Sequence, residues 1–384
     1  MQESTRAIFR EAVHGASASP RAASGEHSPD PAHALAPATL RLAVEEIAAS
    51  RLTPWLARQL DQTFWTGQPQ ELRAEVRDHA LTLASLDAVR CEELARVTAE
   101  LAANGLDALL FKGGAVAFQV YPSSEFRPRS DHDVLIRASD LPSLSSRLEA
   151  MGYTAVAAPQ GTFIARQRSY IRIDERGIGH HLDVHWALFN RPRYQRVFEF
   201  DDLWRQRENL SALGPAAFGM DRMNGLTVAC LHRLAHHYSD AEDRLAWLLD
   251  IDLLARELDA AGWDELTTLA TNKHAMDACA AGLLRAQTVF GTPIASAPLA
   301  DQATAERALA RAKADGHRLN RSLDDLRWLP DWASRSAYLQ EHICPGRPFM
   351  DALHPGAGPL WWRYLRRLFK GLRNWLVTRD NRGH

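Results

Sequence analysis

The sequence predicts an α+β protein, with a mixed sheet over residues 106–220 and helices on either side. Three observations lead there. Short apolar runs of strand length, "LDALLF", "DHDVLIR", "YIRIDE" and "HHLDVHWAL", cluster between residues 106 and 190. A long helical pattern, "ELRAEVRDHALTLASLDAVRCEELARVTAELAANG", comes before them. From Asp221 onward nearly every apolar residue recurs at helical spacing.

Each element follows in turn. Residues 1–38 include "GASASPRAASGEHSPDPAHALAPA", too rich in Ala, Ser, Pro and Gly to bury a core, so a disordered leader is expected. Residues 39–105 form a helical N-terminal segment, with Asn104-Gly105 as its C-terminal stop. Residues 106–220 make the α/β core. "LDALLF" is a strand, "GAVAFQVY" a short helix ended by Pro122, and "DHDVLIR" a second strand. "SDLPSLSSRLEAMGY" is a helix with Ser139 as N-cap and Gly152 as stop. Further strands are expected near "TAVAA", "TFIAR", "YIRIDE" and "HHLDVHWAL". Residues 221–344 form a helical domain, with helices at 222–238, 241–260, 263–290, 302–316 and 331–343. Residues 345–384 join a Pro/Gly-rich linker, "CPGRPFMDALHPGAGP", to a basic amphipathic helix, "LWWRYLRRLFKGLRNWLVTR".

Composition narrows the class. Apolar residues make up 46% of the 384 and charged residues 24%, which is enough for a packed core. The formal net charge of −2 carries no polyelectrolyte signature, so long nucleic acid is not an expected partner. Cys91, Cys230, Cys279 and Cys344 are scattered without a CxxC pair, which argues against a disulfide framework or a zinc knuckle. "MQESTRAIFREAVHG" has no apolar stretch of the signal-peptide kind, and no apolar run reaches the roughly 20 residues of a membrane span. A cytoplasmic location is expected.

The chemistry-bearing residues lie in "FKGGAVAFQVYPSSEFRPRSDHDVLI" and "HHLDVHW". Alternate side chains of a strand share a face, so Asp131 and Asp133 point one way while His132, Val134 and Ile136 point the other. By the same rule Asp183 shares a face with His181 and His185, and Leu182, Val184 and Trp186 face a core. Asp174 competes for the third acidic place, but Asp183 is favoured because its strand continues into buried-type residues. Clustered carboxylates repel, and a hard divalent cation such as Mg²⁺ relieves the repulsion through oxygen ligands. Gly113-Gly114 at a strand-to-helix turn would let backbone N–H groups approach phosphates, with Lys112, Arg127 and Arg129 adding positive charge.

This ordered set resembles the DNA polymerase β-type nucleotidyltransferase superfamily, in which a glycine turn precedes Asp-x-Asp on a strand and a later strand supplies a third acid. It is more similar still to the family called uncharacterised nucleotidyltransferases, through "LLFKGGAVAFQVYPSSEFRPRSDHDVLI", "LEAMGY", "HHLDVHW" and "CLHRLAHHYSDAEDRLAWLLDIDLLAR" over roughly residues 40–290. The resemblance implies a polymerase β-like core and transfer of a nucleoside monophosphate from an NTP to a hydroxyl acceptor. It implies Mg²⁺ (or Mn²⁺) held by Asp131, Asp133 and Asp183, and nucleotide contacts from Lys112, Gly113, Gly114, Arg127, Arg129 and Ser130. The acceptor (a small molecule, glycan, peptide or protein) and the base stay open. One departure stands out: His132 takes the place of a branched apolar residue between the two aspartates.

Two other readings compete. The same fold could bind an NTP without turnover, as a regulatory protein. Alternatively His232 and His236, at i and i+4 on a predicted helix with His237 beside them and Asp250 beyond, could hold a metal in a phosphohydrolase. In the last helix Trp361, Tyr364, Leu365, Leu368, Phe369, Leu372, Trp375 and Leu376 form one stripe, and Arg363, Arg366, Arg367, Lys370, Arg373 and Arg379 are basic. The stripe is expected to dock on the protein's own core with the arginines in water. The alternative is weak contact of 360–379 with a membrane surface.

Overall fold

The computed structural model describes residues 37–49, 51–59, 69–156, 163, 166–195, 198–236, 244–316, 318–353 and 358–377. The expected disordered leader lies outside these, apart from Pro37 and Ala38, which begin helix α1 (Pro37–Ala49). The strand expected at "TFIAR" also lies outside them, apart from Phe163 and Arg166.

The N-terminal helices are α1, α2 (Thr53–Gln59) and α3 (Gln70–Ala103). Helix α3 stops where the sequence places a breaker. Asn104 donates its N–H to the Leu101 carbonyl, and Gly105, in the left-handed position at φ +69°, donates to the Ala102 carbonyl.

The described sheet is mixed, with the order β3-β4-β5-β2-β1-β7-β6. Its strands are β1 (Leu109–Phe111), β2 (His132–Leu135), β3 (Thr154–Ala155), β4 (Gln167–Ile173), β5 (Gly179–His185), β6 (Glu208–Asn209) and β7 (Phe218–Gly219). Strand β2 lies between β1, which runs antiparallel to it, and β5, which runs parallel. The pair β4 and β5 forms an antiparallel hairpin. Strands β6 and β7 are two residues each, too short to leave an alternation in the sequence. Helices α4 (Gly113–Gln119) and α5 (Leu141–Ala150) connect the early strands. Ser139 is not the N-cap of α5: it lies in a short 3₁₀ turn, donates to Asp140, and leaves Asp140 at the cap position.

Beyond the core come α6 (Pro192–Gln195), α7 (Phe200–Arg205), α8 (Arg222–Ala235), α9 (Leu245–Arg256), α10 (Ala260–Asn272), α11 (Met276–Phe290), α12 (Gln302–Ala314), α13 (Arg318–Trp328), α14 (Trp332–Ile343), α15 (Arg347–Leu353) and α16 (Leu360–Val377). Asp221, Asp259, Asp301 and Asp331 each cap a helix by accepting the N–H three residues on. The single helix expected over 263–290 is two helices, broken where His274 adopts φ +51°. Helix α13 was not foreseen, and part of the expected linker is helix α15.

The sheet has two unlike faces. Leu110, Val134, Leu182 and Val184 join a cluster with Leu94, Val97 and Leu101 of α3 and with Leu144 and Leu148 of α5. Leu109, Phe111 and Leu135 face the other way and join a larger core shared with the N-terminal helices and with α8 to α12. By strand alternation Asp133 lies on that second face.

The last helix departs from expectation. Leu360, Arg363, Tyr364 and Arg367 are its half-buried side, at spacings of three and four, while Trp361, Trp362, Leu365 and Phe369 are exposed. The inward side carries Leu360, two arginines and Tyr364, and of the stripe Trp361, Leu365 and Phe369 point outward.

Candidate active site

Strand register brings the two key carboxylates together. Asp133 of β2 is the direct partner of Asp183 on parallel β5, and on the other side it faces Phe111 of β1. Adjacent strands lie about 4.8 Å apart, so two acids in register on one face are close neighbours. His185, two residues along β5, shares that face. The donor atoms of Asp133, Asp183 and His185 all lie within 4.8 Å of one another.

Each group is held. The Lys112 ammonium donates to Asp133 Oδ1 at 2.7 Å, and His185 Nε2–H donates to the same oxygen at 2.9 Å. Ser169, opposite Asp183 on β4, donates its hydroxyl to Asp183 Oδ1 at 2.5 Å. The Phe111 and His185 rings are nearly perpendicular, with centroids 5.0 Å apart. Lys112 sits between β1 and α4 at φ +51°, a left-handed conformation disfavoured for a residue with a Cβ. Strain of this kind, about 1–3 kcal/mol, persists where the surroundings over-determine it.

The two acids differ electrostatically. Burial alone would raise Asp133, but the Lys112 charge and the His185 hydrogen bond outweigh it and hold the carboxyl well below the usual range. Asp183 goes the other way. Burial raises it, the Ser169 hydroxyl opposes this, and the neighbouring charges of Asp133 and Asp131 push it further up. Burial also keeps the His185 imidazole low, so it is neutral beside the carboxylates. The site has more negative charge than Lys112 balances.

A family model described as uncharacterised nucleotidyltransferase matches residues 38–291, more than half of the chain. The chain belongs to the uncharacterised nucleotidyltransferase family. No curated protein matches the sequence.

The remaining residues singled out in the sequence take varied positions. Asp131 precedes β2 and is exposed; Ser130 donates to its Oδ1 at 2.9 Å. It stands outside the close Asp133, Asp183 and His185 set, though its charge reaches Asp183. Asp174 is a turn residue at the far end of the β4–β5 hairpin, accepting the N–H groups of Arg176 and Ile178.

Arg127 and Arg129 are buried and engaged inside the protein. Arg127 donates Nε and Nη2 to Asp250 of α9 at 2.8 and 2.9 Å, and the Tyr121 hydroxyl donates to the same carboxylate. Arg129 donates Nη2 to Asp87 of α3 at 2.7 Å and Nη1 to the Gly113 carbonyl at 3.3 Å. These contacts brace the glycine turn from behind. A Cβ on Gly113 would meet Arg127 Nη2 at 3.3 Å and Cζ at 3.4 Å, so close packing itself calls for glycine there. The two arginines hold the walls of the site and have their charge spent on Asp250 and Asp87.

His232 and His236 of α8 are not part of a metal cluster among the described residues. They pack on one another and on Trp247, and burial followed by the Lys112 charge keeps His232 well below its ordinary value. Asp250, the acid that would have completed a phosphohydrolase site, is held by Arg127. His237 lies outside the described residues.

Strand alternation puts His185 on the face of Asp183 but assigns it no role. The alternation of "HHLDVHW" contained that signal. The parts of Ser169 and Asp87 depend on strand register and helix packing, which no local pattern encodes.

Proposed function

We propose that this chain transfers a nucleoside monophosphate from an NTP to a hydroxyl acceptor, using a divalent metal, with Mg²⁺ or Mn²⁺ as the candidates. The observation that carries this reading is the register pairing of Asp133 with Asp183 on the face that also presents Lys112 and His185. The residues suit such a metal. Lys112 bonds Asp133, and the burial and the neighbouring Asp133 and Asp131 charges that raise Asp183 are what a hard cation with oxygen ligands relieves. Asp133 and Asp183 would hold it, with Asp131 at the exposed edge as a further oxygen donor. When bound, the metal would supply charge neutralisation for the phosphates and a lower pKa for an attacking hydroxyl.

The chain's own groups then have definite tasks. Lys112 sits at the mouth of the turn, where its ammonium can exchange Asp133 for a phosphate oxygen. His185 donates to Asp133 and fixes the orientation of that carboxylate. Ser169 does the same for Asp183. The acceptor oxygen forms its bond to the α-phosphorus, the bond to pyrophosphate breaks, and the hydroxyl proton passes to Asp183. Gly113 and Gly114 keep the turn close to the phosphates, Ser130 orients Asp131, and Arg127 and Arg129 act as positioning residues behind the turn.

The test is incubation with each α-labelled NTP and cell extract, followed by identification of the labelled product. Label transfer with release of pyrophosphate, lost on chelation and in Asp133→Asn, is expected. Saturable NTP binding without transfer to any extract component would instead assign the chain to a binding role on the same fold.

A further inference from the structure

We propose that the outward face of α16 docks on an anionic lipid surface. This does not rest on the proposed catalysis, and α16 lies beyond the part of the chain that the family model matches.

The helix is attached by the wrong side for a core helix. Arg363 donates to Asp351 at 2.6 Å and to the Gly358 carbonyl at 2.8 Å. The Tyr364 hydroxyl donates to the Pro345 carbonyl at 2.7 Å, and Arg367 donates to the His342 carbonyl at 3.3 Å. With the polar side spent on these bonds, the apolar side is left to solvent. Trp361 is 63% exposed, Trp362 52%, Leu365 41% and Phe369 74%. Water is a poor partner for two indoles and a phenyl ring on neighbouring turns.

Charge decides the occupant. The helix sequence has five basic residues and no acid, in a chain where 47 acids outnumber 45 Lys and Arg, and of the five Arg363 and Arg367 are engaged on the inward side. Arg366 is exposed beside the aromatic face. Tryptophan with a basic flank is the composition that lies in the boundary between headgroups and acyl chains, with anionic phosphates meeting the cations. No helix among the described residues is long and apolar enough to cross a membrane, so the contact is in plane. A second copy of the chain, seated on this face or on exposed Leu323, Trp328 and Trp332 of α13 and α14, is the competing outcome that the sedimentation arm of the test reads.

The experiment is flotation of the full chain with vesicles of phosphatidylcholine alone and with vesicles containing phosphatidylglycerol. Co-flotation with the anionic vesicles, weakening as salt rises, is expected. The double variant Trp361→Ser/Phe369→Ser should lower partitioning by about tenfold or more, with an unchanged melting curve because both side chains are exposed. Arg366→Glu, which leaves the apolar face intact, should weaken it more at low salt than at high. Failure to bind anionic vesicles, or equal binding by the double variant, would overturn the proposal. So would a concentration-dependent dimer in sedimentation that the double variant abolishes while vesicles capture nothing.

Discussion

Arg127 and Asp250 form a two-pronged, buried ion pair that joins the loop after the glycine turn to the first turns of α9. The side chains are 10% and 6% exposed, and the Tyr121 hydroxyl is a further donor to the carboxylate. Removing one partner leaves a buried charge without compensation, at a cost of roughly 3–5 kcal/mol. Asp250→Ala should therefore lower the denaturant midpoint strongly, and Arg127→Met/Asp250→Leu should recover much of the loss. A single variant that unfolds with the parent protein would show that this pair is no clamp.

The catalytic reading gives a pattern of three substitutions. Asp133→Asn and Asp183→Asn should each reduce turnover by orders of magnitude, since each removes a negative ligand from the proposed metal site. Asp174→Asn, at the far end of the hairpin, should leave the rate nearly unchanged. Loss of activity in the Asp174 variant alone, measured by release of pyrophosphate, would move the third acid away from Asp183.

The same two acids should differ in stability when the protein is held free of metal with a chelator. Asp133 is favourably paired with Lys112, so Asp133→Asn should lower the melting temperature. Asp183 carries a charge that its surroundings oppose, so Asp183→Asn should raise it. Equal shifts in both variants would contradict the electrostatic difference between them.

Much of this arrangement is legible in the amino-acid sequence. Alternation placed Asp133 opposite to Val134, and Asp183 opposite to Leu182 and Val184, because a strand buried on one face writes its period into the sequence. Helix α3 ends at Asn104-Gly105 because a left-handed stop needs glycine. The tasks of Arg127 and Arg129 were not legible. Both flank Pro128 in a charged loop, and only the packing of α9 and α3 brings Asp250 and Asp87 to them. The outward rotation of α16 was hidden too, because an amphipathic pattern states that two faces differ and does not say which one meets the protein.

His132 offers a stabilising change. It lies on β2 with its ring buried, and neither ring nitrogen has a hydrogen-bond partner. Burial, with help from Arg129, drives its pKa down to about 3. A buried polar group without a partner costs about 1–3 kcal/mol. His132→Val removes both nitrogens and restores the branched apolar residue usual in the resembling motif. It should raise the melting temperature and leave the nucleotide site intact, since the side chain points away from Asp133. A variant less stable than the parent would mean that the lost ring volume outweighs the relieved polar atoms.

Glu93 gives the pH dependence. It is a buried residue of α3 that accepts from Arg96 Nη2 and Nε, at 2.7 and 2.9 Å, from the Tyr153 hydroxyl at 2.9 Å, and pairs with Arg172 at 3.1 Å. Burial by itself would raise its pKa, but the hydrogen bonds from Arg96 and Tyr153 and the charges of Arg96 and Arg172 outweigh it, and the net direction is down. The folded state therefore binds its proton less readily than the unfolded chain, whose glutamate titrates near 4.3. The contribution is fully present above that value and is lost as pH falls through it toward the lower folded value. Arg96 is 46% exposed, so its share is screened, and Glu93→Gln should cost about 1–2 kcal/mol at neutral pH. Urea titrations of parent and variant at neutral pH, and again at roughly pH 3.5 where the unfolded glutamate is mostly protonated, measure both ends of the window. The gap between the two proteins should narrow at the acid end. A gap of constant size would show that Glu93 contributes through packing and not through its charge.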